Sequence, residues 1–288
     1  MYTSLHDAFF AQDNLQLLTN TTNCHLYGLA DHAGAPGLLA QLQRNHTPWR
    51  SLFDGAVGNV AIAAAPLLFA LKKQPNRAEE KPLWHWLDKN ARYTSSLLLI
   101  ASPHDIDTLQ LLLNRRLQAL LEPDMPMLLR FYDPRIFYAL MQVLTPEQQA
   151  AFLNIGEQWS WLNRHGNIET QSSKFQDDDA VSEPIVFTQT QQNLLLDLNE
   201  ADQIAALLAQ TPNPTWQHQS PGEQYDFIRR QQASAQHFGL HLTQDLALFC
   251  ELALAYGEGF VHETKWQTAL QQVSIGKHTL LQAISHAE

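Results

Sequence analysis

The chain has 288 residues, of which 45% are hydrophobic and 16% are charged, and its 29 acidic and 18 basic residues give a formal net charge of −11. This composition supports one large domain or two ordinary ones and excludes a chain that is disordered throughout. The acidic balance, with no run of Lys or Arg, argues against binding to nucleic acid, which needs a basic surface.

The first two thirds of the chain alternate short apolar runs with helical patterns. Continuous apolar runs bounded by turn residues predict buried strands, and apolar residues three and four apart predict helices. The predicted strands and extended segments, in chain order, are His25–Asp31, Pro48–Asp54, 65–72, Ser95–Ser102 and Leu128–Tyr132. The helices predicted between and after these segments are 38–45, 82–91, 104–122, 134–144 and 145–153, the last with Thr145 as its N-cap.

This alternation predicts an α/β domain with a mostly parallel sheet. Trp159 and Trp161 then alternate with polar residues before the turn sequence RHGN. Such a pattern predicts a late antiparallel hairpin at the edge of the sheet.

The polar, acidic segment Ser172–Pro184 has no periodicity and is typical of a linker. Beyond it the pattern is helical only, with predicted helices at 191–210, 222–238, 243–257, 265–273 and 277–286. We therefore predict an α/β domain over 1–171, an acidic linker over 172–190 and a smaller all-helical lobe over 191–288.

The common catalytic and nucleotide-binding motifs, including G-x-G-x-x-G, G-x-x-x-x-G-K-[ST], G-x-S-x-G, H-E-x-x-H and C-x-x-C, do not occur in the sequence. His237, His241 and Asp245 have the spacing of helical metal ligands, but Gly239 predicts a helix end between them. The acidic run Asp177–Asp179 lacks the alternating ligands of a calcium loop. We expect no metal, no cofactor and no catalytic residue.

Two cysteines far apart, Cys24 and Cys250, do not make a disulfide framework and are typical of a reducing compartment. The N-terminus has no basic region before an apolar run, so we expect no signal peptide. Because Pro66 breaks the longest apolar run, we expect no membrane helix either. Together these features predict a cytoplasmic protein.

The segment Leu128–Phe137 places two arginines and an aspartate among apolar and aromatic residues. Asp133 before Pro134 is a recognised helix start, so Asp133 has a structural task as an N-cap. Arg130 on a buried strand needs an anion, and the candidates are Asp31, at the end of the first strand, and Asp133. We expect a structural brace of Asp31, Arg130 and Asp133, and we predict that Arg130→Ala costs a few kcal/mol of stability.

Four further residues are candidates for contact with a partner: Tyr132, Arg135, Trp159 and Trp161. Arg135 falls in the first turn of a helix, where we expect its side chain to face outwards. A partner strand could add to the sheet edge near Trp159–Gln171, or a partner helix could bind the helical lobe, and the sequence leaves both open.

An alternative is an enzyme that holds a small anion with Arg130 and Arg135, because ligands bind at the carboxyl ends of strands in parallel α/β sheets. A third hypothesis is an immunity protein that neutralises a toxin, which the acidic charge favours.

Three segments, HLYGLAD, PWRSLFDG and LLRFYDPRIFYALMQVLTPEQQAAFL, resemble in order and spacing the chaperones, or adaptors, of type VI secretion effectors. The resemblance runs from about Leu26 to Trp161. The motif residues of that family correspond here to Asp31, Arg130, Tyr132, Asp133, Pro134 and Arg135. The helical tail resembles the C-terminal lobe of these proteins less specifically.

The resemblance implies a cytoplasmic protein without enzymatic activity. Proteins of this family bind one effector toxin, often near its N-terminus, and deliver it to the VgrG-type spike protein. The implied partners are therefore an effector and a spike protein, with no nucleic acid and no membrane.

Overall fold

The computed structural model describes residues 24–54, 65–71, 81–91, 96–178, 181, 183–276 and 278–285. The chain divides into two compact units, residues 1–195 and 196–288. The strands, all in the first unit, are β1 (His25–Asp31), β2 (Trp49–Ser51), β3 (Pro66–Leu71), β4 (Leu97–Ser102), β5 (Gln118–Leu121), β6 (Met125–Leu128), β7 (Gln158–Leu162), β8 (Ile168–Ser172) and β9 (Ile185–Phe187).

The helices of the first unit are α1 (Leu38–Arg44), α2 (Lys81–Asn90), α3 (Ile106–Arg115), α4 (Pro134–Val143) and α5 (Pro146–Leu153). The unit boundary falls inside α6 (Gln189–Leu208). The described helices that follow are α7 (Pro214–Gln217), α8 (Pro221–Gln236), α9 (Thr243–Tyr256), a 3₁₀ turn (Glu258–His262), α10 (Thr264–Ser274) and α11 (Leu280–Ser285).

Six strands form the main sheet, in the order β2-β3-β1-β4-β7-β8, and every neighbouring pair is antiparallel. The prediction of a mostly parallel sheet is therefore wrong. Its basis was the alternation of strands with helices, which does not by itself fix the direction of the strands. The continuous apolar sequence of the strands does not fix it either, because that pattern follows whenever both faces of a strand are covered, whatever the direction of its neighbours. The late hairpin is confirmed as β7 and β8, which turn through Gly166 at a φ of 76°.

Helices cover both faces of the main sheet. On one face, alternate residues of β1, β3 and β4, among them Leu26, Phe69 and Leu99, pack in one cluster with α1 and α2. On the other face, Trp159 and Trp161 of β7 contact Phe137 of α4. Every residue of β4 and β7 is buried as a result.

A second, three-stranded sheet has the order β6-β5-β9, with β5 antiparallel to β6 and parallel to β9. It corrects two predictions. The helix expected over 104–122 ends at Arg115, and the residues after it form β5. The strand expected over Leu128–Tyr132 ends as β6 at Leu128, so Arg130 lies outside any strand.

The second unit has a core of its own, built from apolar side chains of α6 to α11 that include Ile228, Phe249 and Trp266. Ser220 and Glu223 form a capping box at the start of α8. Gln232 and Thr243 both donate hydrogen bonds to the Glu200 carboxylate, at 2.8 and 3.1 Å. These bonds link α6, α8 and α9 inside the unit.

Candidate functional site

Asp133 and Arg135 form a two-point ion pair at the start of α4. Arg135 Nε lies 3.0 Å from Asp133 Oδ1, and Arg135 Nη2 lies 2.7 Å from Oδ2. The backbone N–H of Arg135 also donates to Oδ1, at 2.9 Å, so Asp133 caps the helix while it holds the arginine. Pro134 at the first helical position fits this start, because its missing N–H would have no partner in the helix.

Asp31 and Arg130 form a second pair beside the first. Arg130 Nη2 donates to Asp31 Oδ2 at 3.0 Å, and the other carboxylate oxygen accepts the backbone N–H of Ala33 at 3.1 Å. Asp133 N donates to the Arg130 carbonyl, which joins the two pairs. Each aspartate thus has its own arginine, and Arg130 lies against Asp31.

The two pairs share one arrangement, with the carboxylates inside and the guanidiniums outside. The Asp31 and Asp133 side chains are 11% and 6% exposed, whereas those of Arg130 and Arg135 are 53% and 40% exposed. The expectation of a buried Arg130 is therefore wrong, because β6 ends before this residue and leaves it at the surface. The site presents two held cations to solvent.

Tyr132 lies beneath Arg130 and is itself buried. The Arg130 guanidinium lies 5.7 Å from the centre of the Tyr132 ring, a cation–π contact, and Phe53 meets the same ring edge-on. Burial raises the pKa of Tyr132, against the opposing effect of Arg130 and with a smaller rise from the Asp31 carboxylate. Tyr132 was a candidate for partner contact, and its ring supports Arg130 from within the fold instead.

The two tryptophan candidates for partner contact also lie in the core. Trp159 is fully buried, stacks on Phe137 at 5.4 Å and donates its indole N–H to the Leu153 carbonyl at 3.2 Å. Trp161 is 4% exposed and packs edge-on against the same Phe137. Because α4 and α5 cover this face of the sheet, the period-two aromatic pattern marks a packed strand and not an exposed one.

Arg116 is a polar residue of the core that sequence reasoning missed. It is 1% exposed and donates to the carbonyls of Phe152, Leu112 and Ala151 and to the Asn154 side chain, at 2.7 to 3.1 Å. A cation suits the C-terminal end of α5, where carbonyl groups lack helical partners. Arg115, the residue before Arg116, is exposed, and nothing in the sequence indicates which of the two adjacent arginines is buried.

A groove of about 590 Å³ lies between α5 and the residues that end β8. Pro146, Ala150 and Ala151 contribute small apolar surface from α5. Gln171, Ser172, Ser173, Lys174 and Gln176 line the other side. Neither Arg130 nor Arg135 lines this groove.

Within the described ranges, no three His, Cys, Asp or Glu side chains gather as a metal site. His237 and His241 fall between the end of α8 and the start of α9, and both are exposed. In the acidic run, Asp177 and Asp178 are exposed and Asp179 lies outside the described residues. None of the helices in the part of the chain that the structure covers has the length and apolar character needed to cross a membrane.

Residues 26–151 match the family model DUF4123, a domain of unknown function that is known from adaptors of type VI secretion effectors. The matched range contains both aspartate–arginine pairs and nearly all of β1 to β6 and α1 to α5. No curated protein and no solved structure matches the chain.

Proposed function

We propose that this chain is a non-enzymatic adaptor that binds one effector toxin of a type VI secretion system and passes it to the VgrG-type spike protein. The observation that carries the proposal is the DUF4123 match over residues 26–151. That range includes the segment from Arg130 to Arg135 on which the resemblance to effector adaptors is most specific.

The geometry of the two aspartate–arginine pairs favours the hypothesis of a protein-binding adaptor over the hypothesis of an enzyme that binds a small anion. Asp133 is used as a helix cap and Asp31 as the acceptor of a turn N–H, and each carboxylate also neutralises one arginine. A substrate anion would have to compete with these held carboxylates for the arginines. The antiparallel sheet also removes the topological reason for a ligand site at the strand ends, since that rule concerns parallel α/β sheets.

In this proposal the exposed guanidinium faces of Arg130 and Arg135 are partner contacts. Both side chains are pre-organised by their aspartates, which lowers the entropy cost of using them in an interface. Arginine is enriched where interfaces are most tightly bound. On a chain with a net charge of −11, two fixed cations give a partner a local feature to recognise.

A pull-down from the native cells tests the proposal. The tagged full-length chain is the bait, and Asp133→Asn, which keeps the helix cap but loses the ion pair, is a matched variant. Quantitative mass spectrometry is expected to recover one effector and a spike component with the wild-type chain. Recovery of neither would overturn the proposal.

The immunity hypothesis is separated by a second readout. An immunity protein rescues cells from the activity of the toxin, whereas an adaptor changes the stability or export of the effector. We therefore expect that co-expression with this chain leaves the intrinsic activity of the purified effector unchanged. Stoichiometric inhibition of that activity would favour immunity instead.

A further inference from the structure

The outer edge of β8 has free hydrogen-bonding capacity. Asn163 N donates to the Asn167 carbonyl, and Ser173 N donates to the Glu157 carbonyl. In an antiparallel pair the bonded residues alternate, so Glu169 and Gln171 bond to β7 while Ile168 and Thr170 point their peptide groups outwards. Among the described residues, no hydrogen bond reaches the outward peptide groups of Ile168 and Thr170.

The opposite edge of the main sheet is closed by side chains. In β2 the outward carbonyls belong to Trp49 and Ser51, because Leu52 and Pro48 bond to β3. Arg50 Nη1 donates to the Trp49 carbonyl at 2.8 Å, and Gln110 Nε2 of α3 donates to the Ser51 carbonyl at 3.1 Å. A strand that approached β2 would have to displace both donors.

Both edges of the small sheet are obstructed as well. Leu129 N donates to the Leu117 carbonyl, so in β6 the outward residues are Pro126 and Leu128, and proline has no N–H to offer. In β9 the Val186 carbonyl accepts from Gln148 Nε2 at 3.5 Å. Proteins commonly protect edge strands in such ways. On β8 the carbonyl of Ser172, the third outward residue, accepts from Gln171 Nε2 at 3.4 Å. The outward residues 168 and 170 have neither proline nor a side-chain cap, which distinguishes β8 from the other edges described.

The groove beside α5 adjoins this open edge. Gln171 of β8 lines the groove, and it shares a face of the sheet with Trp159, on which α5 packs through Phe152. Because successive side chains of a strand point to opposite faces, a strand added to β8 would direct alternate side chains towards α5. The apolar surface of Ala150 and Ala151 would then receive one of them.

We propose that β8 accepts an extended segment of the effector as a seventh strand of the sheet, with one of its side chains in the groove beside α5. This inference rests on the proposed function. The segment has no proline at its paired positions, because proline has no N–H to donate to β8. Where the segment faces Glu147 and Glu169 it carries neutral or basic side chains. Backbone hydrogen bonds supply affinity in this mode, and the pocket supplies specificity.

The charge of the chain favours an effector segment over a second copy of the chain. Two copies would each carry a net charge of −11 and repel one another. If the β8 strands of two copies paired antiparallel about Thr170, the chain of the other copy would turn away at 163–167, next to the end of β8 where the groove lies. Only that turn would then reach the groove. An extended segment of another protein can continue from the edge along the groove.

The test uses the purified complex of the full chain with the effector that the pull-down recovers. Amide hydrogen exchange is read at single residues in the free chain and in the complex. The amides of Ile168 and Thr170 are expected to exchange at least about tenfold more slowly in the complex. The amides of Glu169 and Gln171, already bonded to β7, are expected to change little and serve as the internal control.

Two variants extend the test. Thr170→Pro removes an outward N–H without removing a bond to β7, and it is expected to weaken binding of the effector about tenfold or more. Thr170→Val keeps the N–H, and its affinity for the effector is expected to stay within about twofold of the wild-type affinity. Because the proline variant can disturb the fold, Ala150→Trp blocks the groove from the exposed side of α5 and is expected to weaken binding by a similar factor.

The outcomes are distinguishable. If the wild-type chain binds no effector, the proposed function falls and this inference falls with it. If the effector binds but exchange at Ile168 and Thr170 is unchanged and Ala150→Trp binds normally, only the assignment of β8 is overturned. If the free chain is a dimer that Thr170→Pro dissociates, the occupant of β8 is a second copy and the effector segment is excluded.

Discussion

Asp133 holds Arg135 by two bonds of 3.0 and 2.7 Å across the first turn of α4 while it caps the same helix. One buried carboxylate therefore fixes both the start of a helix and the direction of an exposed guanidinium. The three consecutive residues supply what the arrangement uses: a cap at Asp133, a first-turn proline at Pro134 and a guanidinium at Arg135 within reach of the carboxylate.

The cap and the ion pair can be separated by substitution. Asp133→Ala removes both and is expected to lower the free energy of unfolding by about 1–2 kcal/mol, the usual cost of losing an N-cap. Asp133→Asn keeps a good cap and is expected to cost less than half as much. Urea denaturation of the two variants checks this, and equal losses would show that the charge, and not the cap, dominates.

Arg130→Ala is expected to cost at most about 1 kcal/mol, because the side chain is half-exposed and ion pairs of that kind contribute little. This value replaces the few kcal/mol expected for a buried pair. Asp31→Ala is expected to cost more, since it also removes the acceptor of the Ala33 N–H. A loss for Arg130→Ala that exceeded the loss for Asp31→Ala in thermal unfolding would refute this order.

Arg116→Lys is expected to destabilise the first unit by at least about 2 kcal/mol, because lysine cannot satisfy the buried carbonyls that the guanidinium reaches. Arg115→Lys, at the exposed neighbouring position, is the matched control and is expected to change stability by less than about 0.5 kcal/mol. Chemical denaturation of both variants measures the difference. Similar midpoints for the two would mean that Arg116 does not stabilise the end of α5.

Cys250 is expected to resist alkylation in the folded protein. Burial raises its pKa to about 12, so almost no thiolate forms at pH 8, and the thiolate is the reactive species. Mass spectrometry after iodoacetamide treatment is expected to find Cys250 modified in urea and unmodified in buffer. Modification at the same rate in both would contradict its burial.

The raised pKa values of Cys250 and Tyr27 predict that the folded protein becomes less stable at high pH. Burial and the nearby Asp105 and Asp107 raise the pKa of Tyr27 to about 12 as well, from an ordinary value of 10.0. The unfolded chain therefore loses these protons first, so stability falls as the pH rises from about 9, the ordinary value for Cys250, towards 12. Thermal unfolding at pH 8 and pH 10.5 is expected to give the lower midpoint at pH 10.5, and an unchanged midpoint would contradict these shifts.

Local chemistry allowed much of the fold to be predicted. The bounds of β1, the start of α4 at Pro134 and the N-cap of α5 at Thr145 all follow from nearby residues, and each is confirmed. Strand direction could not be predicted, because a continuous apolar run such as residues 97–101 of β4 occurs with parallel and with antiparallel neighbours. Burial on both faces, and not direction, determines that pattern.

The candidate site was predictable to the same extent. The cap role of Asp133 follows from its neighbours in sequence. The exposure of Arg130 depends instead on where β6 ends, and pairing with β5 determines that end. The apolar spacing of 104–122 had predicted helix at the residues that form β5. Arg116 could not be recognised, since its partners lie 35 to 38 residues away in sequence, apart from Leu112. Tertiary contacts of this kind leave no local signal.

The most direct measurement of the central proposal is export of the effector from cells that lack this chain. Release of the spike protein into the medium is the internal control for an intact secretion apparatus. We predict that the effector in the medium falls at least about tenfold, that spike release is unchanged, and that the wild-type chain restores export. Effector export at the wild-type level in the cells without the chain would contradict the adaptor function.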